Sequence, residues 1–378
     1  MDWSKGYSAS YYMTRVDPAT WRDVERIEIT GGNVKRNDEG LMQSADVDCV
    51  NYQHGEIWVR LYLDTNQNGT HAHTAIFTGL ATSPERDYNG RMSTSTLNGY
   101  SVLKPADDVI LPRGWYAPAG VSAADQVAKL LRIGPAPVTV ADGSPALTGA
   151  IIAEDGETRL TMAAKILTAI GWRLRITGDG RVSVEPAATA PVAAFDPNYN
   201  DVIETQIDVS LDWYSAPNVL MCTDEDMTAV ARDDSKRSPL STVNRGREVW
   251  AFEADCDRGE NESIAEYTQR RLAELQQVEI SAEYDRRFVP DVYPGDLIRL
   301  SYPEQGLDGI FAVGDQSIEL GHAARTSEMV TAPARLARLQ DGDGDDTIVG
   351  LFRLVDDDTN YIVSDDEDYI VGLAEMKG

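Results

Sequence analysis

The segment DTNQNG, which begins at Asp64, has the residue types of a calcium-binding loop. The residues at loop positions 1, 3, 5 and 6 are Asp64, Asn66, Asn68 and Gly69. Such a loop also needs a glutamate at position 12 to bind calcium through both carboxylate oxygens, but that position is Ala75. An Asn-Gly pair equally suits a tight hairpin turn, because both turn residues adopt positive φ. The sequence therefore favours a β-hairpin turn at Asn68 and Gly69 over a calcium site.

Two histidines follow this turn and form a second candidate metal site. His71 and His73 are two residues apart, so a β-strand would direct both imidazoles to one face. A protein zinc site usually needs at least three ligands, and Asp64 is the nearest third. The other histidines, His54 and His322, are not brought close by any local pattern. Asp64, His71 and His73 remain candidates for a metal, but a solvated edge of the hairpin is the preferred interpretation, and no cofactor is expected.

Patterns that supply a catalytic nucleophile or a phosphate-binding loop are absent from the sequence. There is no GxSxG turn, no HExxH motif and no glycine-rich phosphate loop. A glycosidase uses two carboxylates, and pairs such as Glu154 and Asp155 would supply them. However, a chain with 62 acidic residues contains many such pairs, so none is informative. We predict that the protein is not an enzyme, with a cell-wall-degrading glycosidase as the alternative.

The net charge of the chain, −28 over 378 residues, limits the ligands that it can bind. Proteins that bind nucleic acids neutralise phosphates with Lys and Arg, so tight DNA binding is not expected. No apolar run approaches the roughly 20 residues that span a bilayer, and the first residues lack the pattern of a secretory signal. We expect a protein without a membrane anchor that is made and folded in the cytoplasm.

The three cysteines, Cys49, Cys222 and Cys256, are far apart in the sequence, and none belongs to a CxxC pair. This spacing indicates neither a zinc cluster nor a disulfide framework. Free cysteines are among the residues most often buried in proteins, so we expect three buried, reduced thiols.

The chain up to residue 110 is predicted to consist mainly of β-strands. Alternation of apolar and polar residues predicts a strand at 26–30, followed by a turn at the glycines of 31–33. Two further apolar runs, at 58–63 and 75–80, flank the Asn/Gly cluster at 64–70. Two such runs around an Asn-Gly pair predict a β-hairpin.

Residues 111–190 have a different pattern, which predicts a small α/β domain. Ser122 and Thr158 are placed to cap two amphipathic helices, and Gly171 is placed to end the second. The alternating segment 172–176 and the valines after it predict a hairpin that packs on this helix. The residues expected to shape the hairpin are Trp172, Gly178, Asp179 and Gly180.

From residue 191 the pattern returns to β-strands, with one helix predicted over 261–277 and a charged, exposed loop over 224–239. A turn that precedes another strand is predicted at Pro294, Gly295 and Asp296. The last residues, 336–378, repeat short β-branched runs between acidic turns. They are predicted to form either a small meander or an extended arm that orders on a partner.

Several of these stretches together resemble the family of bacteriophage tail hub proteins, also called baseplate hub proteins. The matching stretches are WRDVERIEITGG at 21–32, WVRLYLD at 58–64 with AIFTGLATSP at 75–84, TRLTMAAKILTAIGWRLRITGDGRVSVEP at 158–186, IAEYTQRRLAELQQVEISAEYDRRFVPDVYPGDLIRLSY at 264–302, and GIFAVGDQSIEL at 309–320. None of them is a catalytic motif, so the order of the units carries the resemblance, which extends roughly from 20 to 330.

This resemblance implies an α+β fold that is mainly β. The implied parts are a first tube-like β-barrel domain at 1–110, a small α/β domain at 111–190, a second tube-like β-barrel domain at 191–335 that contains the helix at 261–277, and a short, acidic, β-rich C-terminal extension at 336–378.

The resemblance also implies a structural function. Members of the family form homotrimers at the distal end of the tail, where six barrels from three chains match the sixfold tail tube and the threefold symmetry meets the tip. The implied partners are the tail tube protein, the distal tail protein, the tape-measure protein and a spike or receptor-binding protein. DNA would pass through the ring without specific binding. The expected location is the tail tip of the virion, and a metal-dependent carbohydrate-binding tail module built on Asp64, His71 and His73 is a further alternative.

Overall fold

The computed structural model of this chain describes residues 1–37, 43–50, 52, 55–83, 87–90, 92–196, 202–211, 213–224, 227–254, 256, 258–259, 262–302, 307–321 and 324–333. These residues form two compact units. Unit 1 comprises the described residues of Met1–Ile207, Glu283–Ile298 and Ala312–Val330, and unit 2 those of Asp208–Ala282, Arg299–Phe311 and Thr331–Gly378. The four-part division at 1–110, 111–190, 191–335 and 336–378 stays a prediction, and the C-terminal extension lies outside the described residues.

Strands make up most of the described part of the chain, which confirms the predicted α+β class with mainly β structure. The strands are β1 Ser8–Asp17, β2 Arg22–Ile27, β3 Ile29–Arg36, β4 Gln43–Val50, β5 Ile57–Gln67, β6 Thr70–Thr82, β7 Asp87–Asn89, β8 Met92–Ser101, β9 Tyr116–Ala117, β10 Val138–Val140, β11 Ile151–Ile152, β12 Trp172–Ile176, β13 Val182–Pro186, β14 Pro191–Phe195, β15 Ile203–Leu211, β16 Val219–Asp224, β17 Met227–Arg232, β18 Trp250–Ala254, β19 Glu279–Arg287, β20 Leu297–Tyr302, β21 Leu307–Glu319 and β22 Arg325–Pro333. The helices are α1 Lys104–Asp107, α2 Ala123–Leu131, α3 Arg159–Ile170, α4 Thr242–Arg245 and α5 Ile264–Leu275. None of these helices has the length and apolar character needed to cross a membrane.

Unit 1 is built on a large sheet in which neighbouring strands follow the order β21–β3–β4–β8–β6–β5–β1–β2, with β21 contributing its residues from Ala312 onward. The predicted hairpin is present as β5 and β6, in which Asp64 pairs with His73 across the strands. Asn68 and Gly69 join the two strands at φ of 50° and 86°, which is the backbone that an Asn-Gly turn provides. The buried core beneath this sheet includes Leu61 and other apolar residues that point to the same face.

The predicted turn at 31–33 was wrong. The glycines lie inside β3, where the register with β4 shifts by one residue between Ile29 and Gly31. Gly32 has a φ of 141°, and a Cβ atom there would lie 2.2 Å from the carbonyl oxygen of Asp46. The glycines therefore allow a bulge and a close strand contact rather than a chain reversal. The sequence patterns also missed β1, which pairs with both β2 and β5.

The part of unit 1 between residues 102 and 186 has its own helical core. The side chain of Ser122 caps α2 by accepting a hydrogen bond from the backbone N–H of Asp125, and Thr158 caps α3 in the same way. Gly171 ends α3 with a left-handed φ of 64°. These caps and this stop confirm the predicted helix boundaries. The two helices pack on each other and on the hairpin of β12 and β13, which buries a shared set of apolar side chains.

Unit 2 contains a three-stranded sheet in the order β17–β16–β18, with α5 packed on one face. The predicted helix at 261–277 was too long, because α5 begins after Ser263 and ends at Leu275. Ser263 and Glu266 form a capping box, in which each side chain accepts a hydrogen bond from the backbone N–H of the other residue. The predicted loop at 224–239 was also wrong, because it contains β17, whose few apolar residues stand between charged clusters.

Candidate functional site

The turn at residues 178–180, here called the tip, is the end of the β12–β13 hairpin and rests on the large sheet of unit 1. Three side chains of that sheet region donate hydrogen bonds to backbone carbonyls of the tip. The donors are Thr78 Oγ1 at 2.8 Å, Arg60 Nη2 at 3.1 Å and Trp21 Nε1 at 3.2 Å. The tip is thus fixed through its backbone, and the α/β part of the chain is joined to β5 and β6.

Two glycines make this close approach possible. A Cβ atom on Gly178 would lie 1.9 Å from the carbonyl oxygen of Ala75, which is a backbone atom in β6. Gly180 has a φ of 77°, and a Cβ atom there would lie within 3 Å of Thr78 and Trp21. Glycine is therefore required at the tip for space at one position and for both space and backbone conformation at the other.

The predicted turn at Pro294, Gly295 and Asp296 lies beside the same hairpin. Asp296 is fully buried, and its Oδ1 accepts a hydrogen bond from Arg173 Nη2 at 2.8 Å. Arg175 Nη2 lies 3.3 Å from Oδ2 of the same carboxylate. A buried carboxylate requires positive partners to offset its lost hydration, and two β12 arginines supply them here.

Tyr293 connects the tip to this second turn. Its hydroxyl accepts a hydrogen bond from the backbone N–H of Gly178 at 3.3 Å. Two guanidinium groups lie over its ring, with Arg36 Cζ at 4.7 Å and Arg175 Cζ at 5.0 Å from the ring centre. Sequence reasoning singled out both turns as structural but gave no reason for them to meet. We call this arrangement of the tip, the 293–296 turn and the β12 arginines the joint.

A buried polar network in unit 1 was missed by sequence reasoning. Arg286 and Glu328 form an ion pair at 2.6 Å with side chains that are 1% and 0% exposed. The carboxylate of Glu328 also accepts hydrogen bonds from the hydroxyl of Tyr284 and from Gln316 Nε2, both at 2.6 Å. Gln316 in turn accepts from Arg36 Nη1 at 3.3 Å, so the network reaches the arginine that faces Tyr293.

The charges of this network are held in their ionised forms. Burial alone would raise the pKa of Glu328, but the ion pair with Arg286 and the two neutral donors lower it below its usual value. Burial works in the opposite direction on Arg286, yet its partner Glu328 raises the arginine pKa. Burial, followed by the Glu328 carboxylate, raises the pKa of Tyr284 well above its usual value.

The candidate metal residues on the β5–β6 hairpin are only partly brought together. His73 Nδ1 is hydrogen-bonded to Asp64 Oδ1, and His73 Nε2 lies 2.8 Å from the hydroxyl of Tyr12. The imidazole also stacks on the ring of Tyr62 at 4.4 Å, so both its nitrogens and one face are already occupied. His71 lines the same open groove of about 530 Å³ without joining these contacts. Within the described ranges, no three His, Cys, Asp or Glu residues are grouped to hold a metal.

No family model and no curated protein matches this sequence. Solved structures are similar to it over almost the whole chain. The tail protein from Neisseria meningitidis MC58 is 18% identical, with a TM-score of 0.61 over 87% of this chain and 97% of that one. The chain has the fold of phage tail proteins. The prophage MuSo2 43 kDa tail protein from Shewanella oneidensis is 13% identical, with a TM-score of 0.58 over 85% and 97% of the two chains.

A third similar structure is a chain of a protein complex from Francisella. The Francisella PdpA-VgrG complex contains a chain that is 8% identical, with a TM-score of 0.52 over 86% of this chain and 58% of that one. The resemblance to tail hub proteins that the sequence suggested is thereby confirmed at the level of the fold.

The joint of this tail-fold protein is expected to depend on the Asp296 carboxylate. We expect Asp296→Ala to lower the free energy of unfolding by about 3–5 kcal/mol, because Arg173 and Arg175 lose the buried negative charge between them. Urea unfolding followed by tryptophan fluorescence measures the change. Asp155→Ala, at an aspartate that is 73% exposed, is the matched control and should change stability by less than about 0.5 kcal/mol. Equal stability of the two variants would contradict this role of Asp296.

Proposed function

We propose that this protein is a structural subunit of a phage tail or a tail-like particle, and that it forms a trimeric hub at the distal end of the tail. The observation that carries the proposal is the similarity to the Neisseria meningitidis tail protein over 87% of this chain and 97% of that one. Because the structural similarity extends over nearly the full length of both chains, it supports a common role for the whole chain rather than a single shared domain.

In this proposal each chain contributes two tube-like barrels. Three chains then present six barrels to the sixfold tail tube and threefold symmetry to the distal end of the phage tail. Identical subunits that associate head to tail form a closed ring when the rotation between neighbours closes. The joint and the buried network of Arg286 and Glu328 suit such a subunit, because they connect distant parts of unit 1 through buried, oriented contacts.

Exposed apolar side chains in unit 2 support contacts with other tail components. Trp250 and Phe252 on β18 are 51% and 65% exposed, and Val230 on β17 of the same sheet is 52% exposed. They lie on the sheet face opposite α5, because the intervening residue Ala251 packs into the core beside that helix. Grouped apolar side chains of this size are typical of protein-contact surfaces.

The proposed ring would enclose part of the DNA channel at the tail tip of the virion. A net charge of −28 supports passage of DNA without tight binding, because carboxylates and phosphates repel each other. The proposed neighbours are the tail tube protein, the distal tail protein, the tape-measure protein and a spike or receptor-binding protein.

Two measurements test the proposal. One is the mass of the purified full-length protein in solution, and the other is its position in tail particles. We expect a species of three times the chain mass by light scattering, and threefold density at the tail tip in images of particles that carry a labelled copy. Phe252→Asp should weaken the trimer if the β18 face contributes to it. Val209→Asp, at an apolar residue that is 38% exposed and lies outside that sheet, is the control and should leave the trimer intact. A monomer or dimer at every concentration, together with absence from tails, would overturn the trimeric hub.

We also propose that the role is structural rather than enzymatic, against the alternative of a cell-wall-degrading enzyme. The full-length protein is expected to release no soluble fragments from purified peptidoglycan beyond the level of a heat-denatured sample. The alternative of a metal-dependent glycan-binding module has a separate test, which is glycan binding that a chelator abolishes. Reproducible turnover in the first assay, or chelator-sensitive binding in the second, would favour the corresponding alternative.

A further inference from the structure

Two cysteines that are far apart in the sequence lie side by side in unit 2. Cys222 is in β16, and Cys256 follows the end of β18, which pairs with β16 in parallel with Thr223 opposite Ala254. This pairing places Cys256 Sγ 3.5 Å from the carbonyl oxygen of Thr223, the residue next to Cys222, and both cysteines belong to one buried cluster. The parallel strand pair therefore brings together two thiols that sequence spacing gave no reason to connect.

The two thiols are held in the core between the sheet and α5. Cys222 is fully buried, Cys256 is 9% exposed, and both pack with Tyr267 and Leu272 of the helix. Burial, followed by the neighbouring Cys222 thiol, raises the pKa of Cys256 to about 11. The Cys256 thiol is accordingly protonated at neutral pH, and its oxidation is slow unless a reactant reaches it.

We propose that Cys222 and Cys256 form a thiol–disulfide modification site, at which an intramolecular disulfide forms on contact with a small-molecule disulfide. Cys49 is the internal comparison. It is also buried, but it lies in the core of unit 1 among Val47, Leu97 and other apolar side chains. The site does not depend on the proposed role in a phage tail.

The reaction consists of two exchange steps. The thiolate of Cys256, the more exposed sulfur, attacks a small disulfide, forms a mixed disulfide and releases one small thiolate. The thiolate of Cys222 then attacks the Cys256 sulfur, forms the protein disulfide and releases the second small thiolate. The two protons lost by the cysteines are taken up by the two released thiolates. The two protein sulfurs are oxidised, and the small disulfide is reduced to two thiols.

The product would close a covalent loop from β16 to the segment after β18. This loop contains β17, α4 and β18 and the end of β16, so it includes two whole strands and part of the third strand of the three-stranded sheet of unit 2. A disulfide of this kind stabilises a fold mainly by restricting the unfolded chain, and longer loops gain more. The oxidised protein is expected to unfold at a temperature about 5–10 °C higher than the reduced protein.

Mass spectrometry of the native full-length protein tests the proposal. The reduced protein is incubated with oxidised glutathione at mildly alkaline pH, remaining thiols are alkylated, and peptides are mapped. We expect a Cys222–Cys256 linked peptide, alkylated Cys49 and a product without glutathione. Circular dichroism before and after the reaction establishes that the protein stays folded.

Two cysteine variants distinguish the first thiol–disulfide exchange step from the second. Cys222→Ala should stop at a stable mixed disulfide of Cys256 with glutathione, whereas Cys49→Ser should give the same linked peptide as the unchanged protein. Three results would overturn the proposal: a stable glutathione adduct on Cys256 in the unchanged protein, a link that involves Cys49, or three intact thiols after prolonged oxidation. Because the unchanged protein gives the decisive result, the test holds even if a variant fails to fold.

Discussion

Glu328→Gln is expected to lower the free energy of unfolding by about 3–5 kcal/mol. The substitution keeps the size of the side chain but removes the charge that faces Arg286, whose guanidinium is then buried without a counter-ion. It also replaces one accepting oxygen with an amide that donates, although Tyr284 and Gln316 both need an acceptor there. Urea unfolding at neutral pH, followed by circular dichroism, measures the loss.

Two further variants make this test specific to the buried charge. Glu319→Gln changes an exposed glutamate of β21 and should shift stability by no more than about 0.5 kcal/mol. The double variant Arg286→Met with Glu328→Leu removes both charges and should be more stable than Glu328→Gln, because no unpaired charge remains. If the double variant were the less stable of the two, the loss would have to come from packing rather than from charge.

The same pair predicts how stability depends on acid. The pKa of Glu328 is lowered from 4.5 in the folded protein, so its contribution to stability is complete above that pH. The contribution is lost as the pH falls from 4.5 through the lowered pKa. The difference in unfolding free energy between the unchanged protein and Glu328→Gln should therefore be largest near neutral pH and shrink in acid. A difference that grows on acidification would contradict this assignment.

Gly178→Ala is expected to release the tip from β6. The added Cβ would lie 1.9 Å from the carbonyl oxygen of Ala75 and 3.0 Å from the Cα of Ile76, and neither backbone atom can move without disturbing the strand. Overpacking of this kind costs about 1–3 kcal/mol, and the contact with backbone places the variant at the upper end. Hydrogen exchange of the β12–β13 hairpin, compared by mass spectrometry with the unchanged protein, measures the release.

The control for this variant is Gly149→Ala. Gly149 is exposed, and a Cβ atom there would meet nothing within 4 Å. It should leave both the exchange of the hairpin and the unfolding free energy unchanged within about 0.5 kcal/mol. Unaltered exchange in Gly178→Ala would mean that the hairpin does not depend on close contact at the tip.

Local chemistry explains which features could be predicted from the sequence. Ser122, Thr158 and Gly171 act on backbone groups within a few residues, so their positions alone predicted the ends of α2 and α3. Asn68 and Gly69 likewise determine a turn through their own φ angles. The glycines of 31–33 led to the wrong prediction of a turn, because positive φ angles occur in both turns and β-bulges. Only the position of the partner strand distinguishes a bulge from a turn.

Long-range contacts explain what could not be predicted. Arg286 and Glu328 are 42 positions apart. Charged residues in an acidic chain are expected at the surface, and only the pairing of strands β19 and β22 brings these two into one core. The contact of Tyr293 with Gly178 spans 115 positions and depends on where the α/β part rests. A sequence can mark both turns as tight without containing any local signal that they meet.

The last strand in the sheet order of unit 1, β2, has a consequence for the behaviour of newly made copies of the chain. Five of its six residues are exposed, and its charged side chains are Arg22, Asp23, Glu25 and Arg26. A strand that carries charges of both signs pairs with a new strand only when the opposing charges match, so random stacking of copies is disfavoured. Copies of the chain would consequently stay dispersed at high concentration.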